Sequence, residues 1–190
     1  MSFPELATER LLLKELTVND RNAIFEIFSN SDVVNYYDLA EFKNLNQADN
    51  LIHFFNNRYQ TDAGIRWGIF LKNEPQCIGT CGFNAFNNAM HSTTIGYDLN
   101  KYFWGMGIAT EALHAVLNYL FSAELPFGMI NRVQADTVPG NIASEKVLLK
   151  LGFKEEGLRR KSGFWKNQYH DLKCFGLLKS DFVTQTDKHE

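Results

Sequence analysis

Tyr102-Phe-Trp-Gly105-Met-Gly107-Ile-Ala109-Thr110-Glu111 is the stretch on which the reading of this chain turns. Before it runs Thr93 to Leu99, where Ile95, Tyr97 and Leu99 alternate with Thr94, Gly96 and Asp98 as in a half-buried strand. After it, Ala109, Ala112, Leu113, Val116 and Leu120 recur at helical spacing, predicting a helix from Ala109 to Phe121. Glycine permits a tight turn, and the first amides of a helix point outward without partners. Together with the positive helix end, those amides suit phosphate oxygens. No Gly-Lys-Ser/Thr follows, so this is not a Walker loop, and Thr110 occupies the third glycine position of the dinucleotide pattern. Taken alone, the stretch is also compatible with a plain helix-entry turn.

Downstream, Asn141-Ile-Ala-Ser144-Glu-Lys-Val-Leu148-Leu-Lys-Leu-Gly152-Phe153 predicts a second helix. Asn141, Ser144 and Leu148 share one side of it by their spacing, and Gly152 stands where a left-handed closing residue belongs. Asn141 as a helix cap and Ser144 as a solvated hydroxyl is the plainer alternative.

The rest of the chain supplies a sheet. Arg10 to Glu15 reads as a strand, followed by the helix-start signal Thr17…Asn19-Asp20 and the apolar face Ile24, Phe25, Ile27 and Phe28. A helix is expected over about Gln47 to Tyr59, then strands over Ile65 to Leu71 and Cys77 to Phe83, with turns at Glu74-Pro75 and Asn87-Asn88. Arg132 to Asp136, Phe153 to Arg159 and His170 to Leu177 read as further strands. This order implies an α+β fold, a mixed sheet with helices packed on its faces. No linker or repeat divides it, so residues 1–182 form one domain and 183–190 a frayed tail.

Composition narrows the function. At 190 residues and 45% hydrophobic, with 19 basic against 22 acidic side chains, the chain is an ordinary globular protein without a basic excess. Nucleic acid is not its expected partner, and Arg159-Arg160-Lys161 is its only dense basic run. Cys77, Cys81 and Cys174 are too few and odd in number for a disulfide framework, and two thiols four apart on a strand are expected to share a buried face. The histidines His53, His91, His114, His170 and His189 show no ligand spacing, so no metal is expected. Neither a secretory signal nor an apolar run of about 18 residues is visible, which points to the cytoplasm rather than a membrane.

In this order and spacing, the motifs resemble the GNAT acyl-CoA N-acyltransferase superfamily. They are closer still to its Rim-type branch, whose members acetylate ribosomal-protein N-termini. The resemblance runs from Thr8-Glu-Arg-Leu-Leu-Leu13 with Asn19-Asp20, through Ile95-Gly-Tyr-Asp-Leu99 and Tyr102 to Ala112. It continues over Asn141 to Phe153 and closes on Tyr169-His-Asp171 and Leu177 to Phe182, read as the final strand. It implies a twisted mixed sheet of about seven strands, split into a V-shaped cleft, with acetyl-CoA as co-substrate. The pyrophosphate would rest on the amides of Met106, Gly107, Ile108, Ala109 and Thr110, entered through Trp104 and Gly105. The pantetheine arm would pair with the backbone of Tyr97 to Leu99 and bond Asn141. Trp104 replaces the Gln or Arg of the general signature, as is common in the Rim-type branch.

The resemblance also assigns chemistry. Many relatives place a proton-donating tyrosine at the position of Leu148, which cannot donate. Ser144 corresponds to the serine proposed for that role in the Rim-type branch. No carboxylate stands out as a base; Asp98 is the candidate, Glu111 the second. His170-Asp171 is not a dyad, because adjacent strand residues face opposite ways. The aromatic residues Tyr36, Tyr37, Phe42, Phe54 and Phe55 line either the acceptor pocket or the core. The expected acceptor is a protein N-terminal amine, such as that of a ribosomal protein. A small amine such as an antibiotic, polyamine or amino acid is the alternative, and a silent acyl-CoA-binding domain a third. A monomer or homodimer is expected.

Overall fold

Thr17 opens the first helical segment with a reciprocal cap. Its Oγ1 accepts from Asn19 N–H (3.3 Å), and Asp20 Oδ2 accepts from Thr17 N–H (2.7 Å). A computed structural model describes residues 3–122, 125 and 128–186, with side chains as far as Phe182. The elements run β1 (Leu6–Ala7), β2 (Leu11–Lys14), α1 (Arg21–Phe28), α2 (Ser31–Val34), α3 (Leu45–Gln60), β3 (Gly64–Leu71), β4 (Cys77–Asn87) and β5 (Ser92–Leu99). They continue α4 (Ile108–Phe121), β6 (Arg132–Thr137), α5 (Ile142–Lys150), β7 (Lys154–Trp165), β8 (Gln168–Leu178) and α6 (Lys179–Thr186).

One eight-stranded sheet has the order β1-β2-β3-β4-β5-β6-β8-β7, antiparallel except where β5 meets β6. The strand beyond the expected seven is β1, two residues long and without a periodic signal. On one face, Ile65, Trp67 and Ile69 of β3 pack with Ala112, Leu113, Val116 and Leu120 of α4 and Leu148 of α5. On the other, Phe70 packs with Ile24, Ile27 and Phe28 of α1 and Ala48, Ile52 and Phe55 of α3. Each fully buried large apolar side chain contributes roughly 1.5–3 kcal/mol.

Three expectations are corrected. Helix α3 begins at Leu45, because the Gln47 side chain folds back to accept from Lys43 N–H (2.6 Å) and Asn44 N–H (3.3 Å). The final strand ends at Leu178, and α6 carries the chain through Phe182 to Thr186, where fraying was expected to have begun; residues 187–190 lie outside the described ones. Phe182 anchors this helix, its ring 5.3 Å from that of Phe121. Lastly, Cys77 and Cys81 do not share a face. The register passes from Ile69↔Gly79 to Phe70↔Cys77, leaving Ile78 as a bulge, so Cys81 joins the α4 core and Cys77 the α1 core.

Candidate active site

β5 and β6 pair only over Ser92↔Arg132, Thr93↔Val133 and Thr94↔Gln134, and then part. Asn100 donates its N–H to Ile78 O of the neighbouring strand β4 (2.8 Å). Backbone polar groups alternate sides along a strand, so those of Tyr97 and Leu99 face the parting instead. Trp104 Nε1 takes up Leu99 O (2.8 Å), which leaves the Tyr97 amide and carbonyl and the Leu99 N–H as an edge for an extended ligand. The opening is a cleft of about 870 Å³, and every residue expected to hold the cofactor lines it except Met106.

At the mouth of α4 the chain turns through Gly105 and Gly107, each at φ +76°. Gly107 is the cap residue and carries no side chain to occupy the first amides. The first ladder bond of the helix is Glu111 N–H to Gly107 O (3.0 Å), so the amides of Ile108, Ala109 and Thr110 lie before it and point outward. This cradle of outward-pointing amides fits a pyrophosphate. It is fixed from behind: Arg10 Nη1 donates to Met106 O (3.0 Å) and Arg10 Nε to Glu111 Oε2 (2.6 Å). Glu111 Oε1 accepts from Thr8 Oγ1 (2.5 Å) and Arg10 N–H (3.0 Å). Partial burial pushes the Glu111 carboxyl upward, but these bonds hold it below the usual carboxylate range. Glu111 braces the loop, in contrast to the expectation of a secondary base.

On the opposite wall, Asn141 caps α5, its Oδ1 accepting from Ser144 N–H (3.3 Å). Among the described residues its Nδ2 has no acceptor, so capping and bonding a ligand are compatible. Leu148 is fully buried and does not reach the cleft. The hydroxyl that α5 lacks at Leu148 arrives from the sheet. Tyr97 Oη stands 2.6 Å from Ser144 Oγ and donates to Ser144 O at 3.2 Å. Burial pushes the Tyr97 phenol up to about 12, although the bond with Ser144 opposes it. Sequence reasoning placed Tyr97 by its backbone and missed this hydroxyl pair; its signal was a tyrosine on the strand face that looks toward α5.

Asp98 corrects an expectation. Its side chain is 1% exposed, and both oxygens are engaged. Oδ2 accepts from Arg66 Nη2 (2.5 Å) and Thr80 Oγ1 (2.7 Å), and Oδ1 from Thr80 N–H (3.1 Å). Both oxygens are thus committed to a buried ion pair and its supporting bonds, which makes Asp98 a structural partner of Arg66 rather than a free group facing the cleft. Burial works against the Arg66 charge, yet Tyr37 and Asp98 hold its pKa above the usual value. Tyr37, whose hydroxyl accepts from Arg66 Nη2 (3.1 Å), is pushed up to about 12 by burial.

The α2 segment roofs the far side of the cleft. Tyr36 Oη donates to Gly140 O (3.1 Å), Lys166 Nζ of the β7–β8 turn donates to Val34 O (2.6 Å), and Lys101 pairs with Asp32. Of the aromatic residues, Tyr36 and Tyr37 line the cleft, Phe42 and Phe55 are core, and Phe54 is exposed. His170 stacks on Trp165 (3.9 Å) while Asp171 Oδ1 accepts from Lys161 N–H (2.8 Å), so the two work apart. Among the described residues no group of three or more His, Cys, Asp or Glu could hold a metal ion, and no helix is long and apolar enough to cross a membrane.

The family model for the acetyltransferase (GNAT) domain matches residues 10–154. The Bacillus subtilis protein named uncharacterized N-acetyltransferase YoaA is 37% identical over 177 residues, 93% of this chain and 98% of that protein. The Escherichia coli [ribosomal protein uS5]-alanine N-acetyltransferase is 27% identical, covering 67% of this chain and 64% of that one. Among solved structures, a GNAT-family acetyltransferase from Bacillus anthracis superimposes with a TM-score of 0.79 at 26% identity, over 93% of this chain and 99% of the other. The parted strands, the glycine-capped helix mouth and these matches lead to one conclusion: this chain belongs to the GNAT family and is an acetyl-CoA-dependent acetyltransferase.

Proposed function

We propose that the chain acetylates the N-terminal α-amine of a protein, such as a ribosomal protein, by direct attack of the amine on the acetyl-CoA thioester in the cytoplasm. The observation that carries this reading is the state of the acids in the cleft. Asp98 is held by Arg66 and Asp32 is paired with Lys101. The tyrosines Tyr37 and Tyr97, raised to about 12, are not bases either. An α-amine, with a pKa of about 7.7–8.0, is roughly one-tenth neutral at pH 7, whereas a lysine at about 10.4 is neutral in well under one part in a thousand. The α-amine needs the least help, and water suffices to carry its proton. The name of the uS5-alanine N-acetyltransferase relative supports the same acceptor class.

In the reaction the nitrogen lone pair forms the N–C bond as the C–S bond breaks, and the proton that nitrogen sheds balances the one that sulfur gains. Ser144 Oγ, held by Tyr97 Oη, is the donor to the departing sulfur. A thiol with a pKa of about 8.5 leaves full transfer of the Tyr97 proton uphill by about 5 kcal/mol, so the hydroxyl pair stabilises the sulfur by hydrogen bonding. The Leu99 N–H, or that of Tyr97, faces the cleft and is placed to polarise the thioester oxygen.

Labelled acetyl-CoA tests this with three acceptors: a peptide with a free N-terminus, the same peptide N-blocked with an internal lysine, and a panel of small amines. Label is expected on the free α-amine alone, at a rate that rises with pH and levels near that amine's own pKa. Acetylation of the lysine in the blocked peptide, or of small amines only, overturns the assignment.

A further inference from the structure

Arg66 lies in the middle of β3, 3% exposed, in a strand otherwise apolar or glycine. Its cross-strand partner on β4 is Gly82, and Gly82 in turn faces Gly96 on β5. A Cβ on Gly82 would collide with Ile65 O and stand 2.9 Å from Arg66 Cα. The bare row of glycines makes a trough, and the Arg66 side chain runs along it from β3 to β5.

The guanidinium is engaged on one edge. Nε donates to Thr80 Oγ1 (2.6 Å), and Nη2 to Asp98 and Tyr37; the Phe55 ring covers its face at 5.2 Å. Nη1 has no acceptor among the described residues. It stands 3.0 Å from the point where a Gly96 Cβ would be, and Asn84 Nδ2 stands 3.5 Å from that point. The Asn84 side chain likewise has no hydrogen-bond partner among the described residues. Two donors thus flank a gap that only glycine leaves open. The gap is the second residue beyond the point where β5 and β6 part, and it adjoins Tyr97, whose backbone faces the cleft.

We infer that Arg66 Nη1 and Asn84 Nδ2, over the bare Cα of Gly96, form a subsite for an sp² oxygen of the acceptor, a carbonyl or carboxylate on the carbon next to the one bearing the amine. This rests on the α-amine reading and sharpens it. In an α-amino acyl group the nitrogen and that oxygen are roughly 3 Å apart, and consecutive Cα atoms are about 3.8 Å apart. An oxygen over Gly96 therefore leaves the amine beside Tyr97, where the thioester is attacked. A lysine side chain or a polyamine has no oxygen at that distance. Gly96 and Asn84 are half-buried, and the subsite discriminates by leaving two donors without their acceptor when the oxygen is missing.

The test is calorimetric binding to the CoA-loaded protein, each amine corrected to its neutral fraction. The probes are a tripeptide with a free N-terminus, its analogue with the first peptide carbonyl reduced to CH₂, and the free amino acid. Wild type is expected to bind the tripeptide at least tenfold more tightly than the reduced analogue. Gly96→Ala, which fills the gap, and Asn84→Ala, which removes one donor and spares the Arg66–Asp98 pair, are expected to shrink that preference to under threefold with acetyl-CoA affinity unchanged. Stronger binding of the free amino acid than of the tripeptide identifies a carboxylate as the natural oxygen; the reverse identifies the peptide carbonyl. Equal binding of tripeptide and reduced analogue by wild type overturns the subsite, as does full preference in a folded Asn84→Ala protein. A retained binding preference without turnover of any α-amine overturns the proposed function and leaves the subsite standing.

Discussion

Tyr97 Oη and Ser144 Oγ, 2.6 Å apart, join the strand and the helix that form the two walls of the cleft. In the proposed reaction this contact makes the donor to sulfur a pair rather than a single side chain. Ser144→Ala is expected to lower kcat by about 10- to 100-fold while changing acetyl-CoA affinity far less, because the bond matters most as sulfur leaves. Tyr97→Phe should cost less, and the double variant should be no slower than Ser144→Ala if Tyr97 acts through the serine. Full activity of Ser144→Ala across pH 6–9 removes Ser144 from the chemistry.

Gly107 contributes through its backbone and its emptiness. At φ +76° a side chain carries strain of about 1–2 kcal/mol, although the atom nearest to where its Cβ would stand, Arg10 Nη2, is a comfortable 3.6 Å away. Gly107→Asp adds a negative charge beside the phosphate cradle and should weaken acetyl-CoA binding at least tenfold, about 1.4 kcal/mol. Gly107→Asn, tolerant of the same φ and uncharged, should weaken it less. Equal calorimetric affinity for wild type and a folded Gly107→Asp protein counts against the cradle.

Glu111 links acidity to the rigidity of that cradle. Its carboxyl titrates below the usual range in the fold, so the ionised form is stabilising. That contribution is complete above the unfolded carboxylate range and fades as pH falls through the lower folded value. Glu111→Gln should lose roughly 1 kcal/mol at pH 7, lowering Tm by about 2–4 °C, the partial exposure of Arg10 limiting the effect. The difference should close in strong acid. A Tm gap independent of pH would refute the ionic brace.

Asp98→Asn distinguishes an ion-pair partner from a base. Breaking a buried pair from one side costs about 3–5 kcal/mol, so thermal stability should fall markedly while the pH–rate profile keeps its shape. A deficit confined to low pH and cured at high pH would restore Asp98 as the base.

The helices and central strands were legible because apolar periodicity is local. The parting of β5 and β6 was reached only through family resemblance, since it depends on where a distant strand stops pairing. Asp98 was misread for a similar reason. The sequence shows a carboxylate beside the cofactor strand, but its partner Arg66 lies 32 positions away and two strands over. The available signal was Arg66 itself, because a charge inside an apolar strand requires a counter-charge. Gln47, whose side chain reaches back to start α3 early, and Ile78, whose bulge reverses a face, are likewise single-residue events that periodicity averages away.

The bulge at Ile78 also sets the redox character of the chain. By delivering Cys77 and Cys81 to separate cores it puts the thickness of the sheet between the two thiols, and no bridge can join them while the sheet is intact. Burial raises both thiols, Cys77 to about 12, so neither offers thiolate to a reagent at neutral pH. Half-buried Cys174 is left to react alone. Alkylation of the other two then becomes a clock: each modified Cys77 records an opening of the α1 face and each modified Cys81 an opening of the α4 face, two stopwatches on opposite sides of one sheet.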